Sequence, residues 1–139
     1  MLVRIAESPA AWPAALIVWG PGFKSAAHRH HCVQLLVTLR GSLNVSSGVN
    51  AWRKCGAVLV RPDAIHEVDA RGSTLLICFI SVESVLGVAL TERIDGDIAR
   101  ISGRQLARWR AILGRKPTEE SVARWLTGFL SDEKRPVTI

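Results

Sequence analysis

The chain has 139 residues, 48% of them hydrophobic, and a formal net charge of +6. That length supports one domain core with an appendage and excludes two large domains. No apolar run approaches the roughly 20 residues of a membrane-crossing helix, and Arg4 and Glu7 are followed by no continuous apolar block, so the expectation is a soluble chain with no export signal and no membrane partner. Cys32, Cys55 and Cys78 are odd in number and form no CxxC pair, which argues against a disulfide framework and places the protein in the reducing cytoplasm.

Up to residue 81 the sequence is a series of short apolar runs punctuated by glycine, proline, asparagine and serine. Ala14 to Trp19, Val33 to Leu39, Leu43 to Val45, Val49 to Trp52, Ala57 to Val60, Ile65 to Val68 and Leu75 to Ile80 predict strands of a sandwich or barrel. Gly41 and Gly56 are expected at tight turns. After residue 82 the period becomes helical. A segment from Val82 to Leu90 is the least marked. Ser102 and Gln105 form a capping box for a helix whose Leu106, Trp109, Ile112 and Leu113 share a face, with Gly114 as its stop. Thr118 caps a second helix with Glu119 and Glu120 in its first turn and an apolar stripe of Val122, Trp125, Leu126, Phe129 and Leu130. The division is therefore 1–81 as a β-barrel, 82–131 as a helical extension, and 132–139 as a tail or linker.

Charge does not single out a nucleic-acid surface. Residues 1–81 carry eight basic and four acidic groups, and 82–139 carry ten and eight, so neither half is a basic arm. Arg100, Arg104 and Arg108 recur at helical spacing and are expected on one solvated face, with Glu92, Asp95 and Asp97 nearby. No segment has the pattern of a helix-turn-helix, so specific DNA binding by this chain alone is not expected.

Three of the four histidines and one glutamine fall in the β region: His28, His30 and Gln34 between Gly22 and Gly41, then His66 after Gly56 and Pro62. In an extended strand His28, His30, Cys32 and Gln34 point one way, while Val33, Leu35, Val37 and Leu39 point the other. An outer face that apolar requires a cover, which the amphipathic helices supply. His31 has the opposite parity and is expected at the surface or behind the site. Asp63 and Glu67 flank His66, but Glu67 should face outward, which argues against an acid-base pair there. Trp12, Trp19 and Trp52 could wall a ligand pocket, whereas Trp109 and Trp125 belong to helical stripes. No nucleophile motif and no phosphate loop are present, and no catalytic residue is assigned.

The spacing Gly22, His28-x-His30, Gln34, Gly41 resembles the first cupin motif position for position, with glutamine in place of its usual glutamate. The second motif, Gly56, Pro62, His66, resembles the shortened form in sensor domains of AraC-type transcription regulators, where a small cupin barrel is followed by dimerising helices. The resemblance implies a mainly β fold with C-terminal helices: a double-stranded β-helix, or jelly-roll, barrel covered by an α-helical extension. It implies His28, His30, Gln34 and His66 as metal ligands, with Trp19, Cys32 and Trp52 as further pocket candidates. Three imidazoles and an amide oxygen suit Zn²⁺, Ni²⁺, Fe²⁺ or Mn²⁺. The other chemistry open to the same residues is hydrogen bonding to an organic anion or sugar with no metal.

Two functions follow. One is a ligand-sensing and dimerisation domain of an AraC-type regulator, with a small-molecule effector in the barrel, a homodimer made through Leu106, Trp109, Leu113, Trp125 and Phe129, and DNA contacted only through a helix-turn-helix domain if the protein is longer. The alternative is a stand-alone metal-dependent cupin enzyme, a dioxygenase or isomerase. The helical tail favours the sensor over the enzyme.

Overall fold

The computed structural model describes residues 2–6, 13–48 and 51–131. Its elements, in order, are β1 (Leu2–Ala6), β2 (Pro13–Pro21), β3 (Val33–Arg40), β4 (Leu43–Ser46), β5 (Arg53–Cys55), β6 (Ala57–Val60), β7 (Glu67–Asp69), β8 (Thr74–Ile80), α1 (Val85–Glu92), β9 (Ile98–Arg100), α2 (Gly103–Leu113) and α3 (Glu119–Ser131). A six-stranded sheet runs β1-β2-β8-β3-β6-β9, and a three-stranded sheet runs β5-β4-β7. All pairings are antiparallel. The segment from Gly22 to His28 continues the smaller sheet beyond β7, through bridges Lys24 to Asp69 and His28 to His66.

The alternation of β3 divides the interior in two, as period-2 side chains require. Val33, Leu35, Val37 and Leu39 join Ile17, Leu59, Leu76, Cys78, Trp109, Leu113, Val122, Trp125 and Leu126 in one cluster between the large sheet and the helices. Leu36 faces the other way, into a second cluster between the two sheets with Leu43, Val45, Val58, Val60, Val68, Leu75 and Ile77. The strand is buried on both faces because helices cover one and the small sheet covers the other. Trp109 and Trp125 meet edge to face, 5.7 Å between ring centres and 77° between planes, the arrangement aromatic quadrupoles favour.

The helices start where their caps predict. The Ser102 hydroxyl accepts from the Gln105 amide at 3.2 Å, and the Thr118 hydroxyl from the Ser121 amide at 3.0 Å. The Arg110 guanidinium clasps α2 to the end of β3, donating to the Thr38 carbonyl and hydroxyl and to the Gly41 carbonyl, each at 2.8 Å. Gly41 has φ +84 and makes the expected turn, whereas Gly56 has no positive φ and instead faces the end of the Leu106 side chain of α2, which would have to shift to admit a Cβ.

Four differences from the sequence reading have simple causes. β9 lies inside the span expected to be helical; its three residues pair with Val58, Leu59 and Val60, too short a run to carry a period of its own. Arg100 therefore sits on a strand and shares no helical face with Arg104 and Arg108. Trp109, Leu113 and Trp125 are buried within this chain and so present no surface to a second chain, while Ile112 turns to solvent. Trp12, the run's first half Val49 to Asn50, and the tail 132–139 lie outside the described residues, as do the side chains of Phe129 and Leu130.

Candidate metal and ligand centre

Two chain segments that are 38 residues apart in sequence are laced together at the mouth of the barrel. The His28 amide donates to the His66 carbonyl at 3.0 Å, and the His66 amide returns to the His28 carbonyl at 2.9 Å. His30 is tied to the same turn, because the Asp63 amide donates to its carbonyl at 2.8 Å. Asp63 adopts φ 65, the one non-glycine residue with positive φ among those described, and its carboxylate accepts from His31 Nδ1 at 2.9 Å. His31 is thus at the surface, clasping the turn behind the site. Asn and Asp tolerate this left-handed conformation better than most residues.

The result is a cluster of three imidazoles. Ligand atoms of His28, His30 and His66 all lie within 4.8 Å of one another. Ring centres are 4.3 Å apart for His28 and His66, 4.7 Å for His28 and His30, and 5.9 Å for His30 and His66. Two tautomers are fixed by their partners. Nδ1 of His28 lies 2.7 Å from the Ala26 carbonyl and Nδ1 of His66 lies 2.9 Å from the Ala64 carbonyl. A carbonyl only accepts, so each Nδ1 carries the hydrogen and each Nε2 presents a lone pair. Such outer bonds orient imidazoles that ligate metals.

Two polar atoms at the site are left over. His66 and Gln34 are 1% and 4% exposed, and His66 Nε2 and Gln34 Oε1 have no hydrogen-bond partner. Each such buried group costs about 1–3 kcal/mol when left without a partner, and both stand beside the imidazole cluster, where a bound metal, ligand or water can satisfy them. Gln34, His28 and His30 line one cavity of about 250 Å³ whose other walls are Phe23, Ser25, Leu36, Val68, Ile77 and Phe79. His30 also packs edge to face on Phe79, 5.4 Å between centres. Burial lowers the pKa of His66, reinforced by the neighbouring His28 and His30 and opposed by its bond to Ala64. Burial and then His28 lower that of His30. Both shifts favour the neutral imidazole, the form that coordinates a metal.

The pocket candidates separate. The cavity wall includes none of Trp19, Cys32 and Trp52. Trp19 shares the face of Ala15 and Ile17 on β2 and packs on the helix-side cluster; Trp52 is exposed. Cys32 is half-buried, and its thiol is pushed up by burial and by the Asp63 carboxylate. It interacts with Cys78, whose own thiol burial drives far up. The chain between His28 and Val33 is not a regular strand, so the parity that was to keep Cys32 beside the histidines does not hold there. Sequence reasoning missed Phe23 and Phe79 as walls of the cavity; Phe79 was legible as the neighbour of Gln34 only once β3 and β8 were known to pair.

No protein-family model matches this sequence, and no curated protein matches it. Solved structures do. Apo ToxT from Vibrio cholerae is similar over 91% of this chain and 58% of its own, with 10% identity and a TM-score of 0.54. The fold is a cupin barrel with a helical cover. A Cupin 2 conserved barrel domain protein from Salinispora arenicola is 19% identical over 65% of this chain and 77% of its own, with a TM-score of 0.43. A cupin superfamily protein from Desulfitobacterium hafniense is 14% identical over 58% of this chain and 76% of its own, with a TM-score of 0.44. Among the described residues no helix is long and apolar enough to cross a membrane.

Proposed function

We propose that this chain is the effector-sensing domain of an AraC-type transcription regulator, with a small organic anion as the effector held in the barrel. The observation that supports it is the extent of the likeness to ToxT, an AraC-type protein, which takes in 91% of the chain and so the helices together with the barrel. At this identity that likeness is one of fold, so the chemistry of the effector rests on the cavity itself. Its volume of about 250 Å³ suits a small molecule, its walls are mostly apolar, and its polar groups converge at one end.

The donor set fits a divalent transition metal. His28, His30 and His66 offer three nitrogen ligands and Gln34 an amide oxygen, and the two partnerless buried atoms are among them. A bound metal would supply Lewis-acid attraction for an oxygen ligand. All four donors are neutral, so the ion's charge is uncompensated in a half-closed apolar cavity, and an anionic effector oxygen balances it. Phe23, Leu36, Val68, Ile77 and Phe79 then exclude water from the effector's carbon frame.

The convergent histidines are also what favours the second reading, a stand-alone metal-dependent cupin enzyme using the same four residues. A homodimer belongs to the sensor reading. Val85 and Val88 on α1 and Ile112 on α2 are exposed apolar groups through which two chains could pair. Elemental analysis of untagged protein, with His28→Ala beside it, should find about one metal per chain lost in the variant. A screen of small carboxylates by thermal shift should then return a ligand that binds without being consumed and changes the mass seen by light scattering. Turnover of that ligand with no change in assembly would replace the sensor by the enzyme.

A further inference from the structure

A second open space lies beside the histidine cavity. A cleft of about 400 Å³ is lined by Val45, Arg53, Asp95, Asp97, Ile98 and Arg100 among others. It opens where β5 and β9 end their respective sheets, so both contribute an edge with unpaired backbone groups. Val45 is buried and Ile98 packs on the inter-sheet cluster, which gives the cleft an apolar base.

Its charges are matched in number but not in contact. Two arginines and two aspartates line one cleft, yet among the described residues none of the four has a side-chain hydrogen bond or an ion pair. The loop bearing the aspartates is held in place by a different arginine. Arg61 donates from Nε to the Gly96 carbonyl at 2.9 Å and from Nη2 to the Ile94 carbonyl at 2.6 Å, and its amide donates to the Asp97 carbonyl at 2.8 Å. Arg61 is thus spent on the loop's carbonyls, and the exposed carboxylates of Asp95 and Asp97 make no ion pair. Arg53 and Arg100 are anchored in β5 and β9. Opposite charges around an apolar base suit a ligand that carries both signs and an apolar group.

We propose that this cleft is a second binding site, for an amino-acid-sized zwitterion. Its carboxylate meets the guanidinium groups of Arg53 and Arg100, whose planar forks match that geometry. Its ammonium meets Asp95 and Asp97, and an apolar side chain lies on Val45 and Ile98. The proposal does not depend on the barrel's function. It gives the domain an input separate from the histidine cavity.

Three probes of nearly the same shape test it by calorimetry and by amide chemical shifts: L-leucine, its amide L-leucinamide, which lacks the negative charge, and 4-methylpentanoate, which lacks the positive one. L-leucine should bind and move the amide signals of Ala99, Arg100 and Asp97 while leaving those of His30 and Phe79 in place. Each half-charged analogue, and L-leucine on Arg100→Gln or Asp97→Asn, should bind about tenfold more weakly or worse, the usual cost of losing one charged hydrogen bond. Equal binding of all three probes, binding mapped to the barrel cavity, or no binding by the folded wild-type chain would overturn the proposal.

Discussion

The two faces of β3 are built for different ends. Toward the helices, Val33, Leu35, Val37 and Leu39 enter a cluster that is apolar throughout and closed by Trp109 and Trp125. Toward the small sheet, the same strand presents Gln34 and then Leu36 to a cavity that also receives His28 and His30. The first face is spent on burial, worth about 25 cal/mol per Å² of apolar surface. The second leaves polar atoms without partners inside the protein, a cost that folding alone has no reason to bear. The comparison teaches that one sheet both stabilises the domain and supports its site, through nothing more than the alternation of a strand.

The largest effect expected from breaking this division is on the helix side. Trp125→Ala should cost about 3–5 kcal/mol in urea unfolding while the remaining folded protein keeps its metal or ligand affinity, since Trp125 is 1% exposed and packs in the helix-side cluster. Loss of affinity in step with stability would show that the two faces are coupled. On the cavity side the sign should reverse. Gln34→Met removes a buried amide oxygen that has no hydrogen-bond partner and should raise the stability of the ligand-free protein by about 1 kcal/mol while weakening ligand binding. A destabilised variant would mean that Gln34 has a structural partner.

A smaller effect is expected at the turn that carries His30. Asp63→Ala keeps a β-carbon at φ 65 but loses the polar side chain that tolerates this conformation and clasps His31, and should cost about 1–2 kcal/mol. Asp63→Gly keeps the backbone shape and should recover most of the stability but not the His31 contact. If both variants behave alike, the carboxylate and not the backbone conformation is what matters. The mildest test is pH. His30 and His66 have folded-state pKa values below the ordinary 6.5, so above 6.5 both states are neutral and stability is at its full value. As pH falls below 6.5 the unfolded chain takes up protons first, and the urea midpoint of the metal-free protein should decline as pH moves down through the lowered folded values. A midpoint that rises on acidification would reverse the sign of both shifts.

Much of the fold was legible because it depends on local patterns. Ala57 to Val60 is a strand to the residue, Val33 to Leu39 and Leu75 to Ile80 are strands to within one residue, and Ser102, Gly114 and Thr118 mark helix ends, since caps and apolar runs are written in consecutive residues. The grouping of His28, His30, Gln34 and His66 was legible only through its spacing, and the convergence of the three rings has a different origin from strand alternation. It comes from the backbone bridge between His28 and His66 and from the left-handed turn at Asp63.

By itself the sequence determined which face of β3 is apolar, where the helices begin, and which residue types are available for chemistry, because each of these follows from side chains a few positions apart. Only the tertiary structure decided that β9 completes the large sheet, that Trp109 and Trp125 are consumed by their own barrel, that Trp19 and Cys32 stay out of the histidine cavity, and that four unpaired charges share one cleft. Those outcomes depend on which strands become neighbours, and strand pairing joins residues tens of positions apart through backbone hydrogen bonds that every residue type can make.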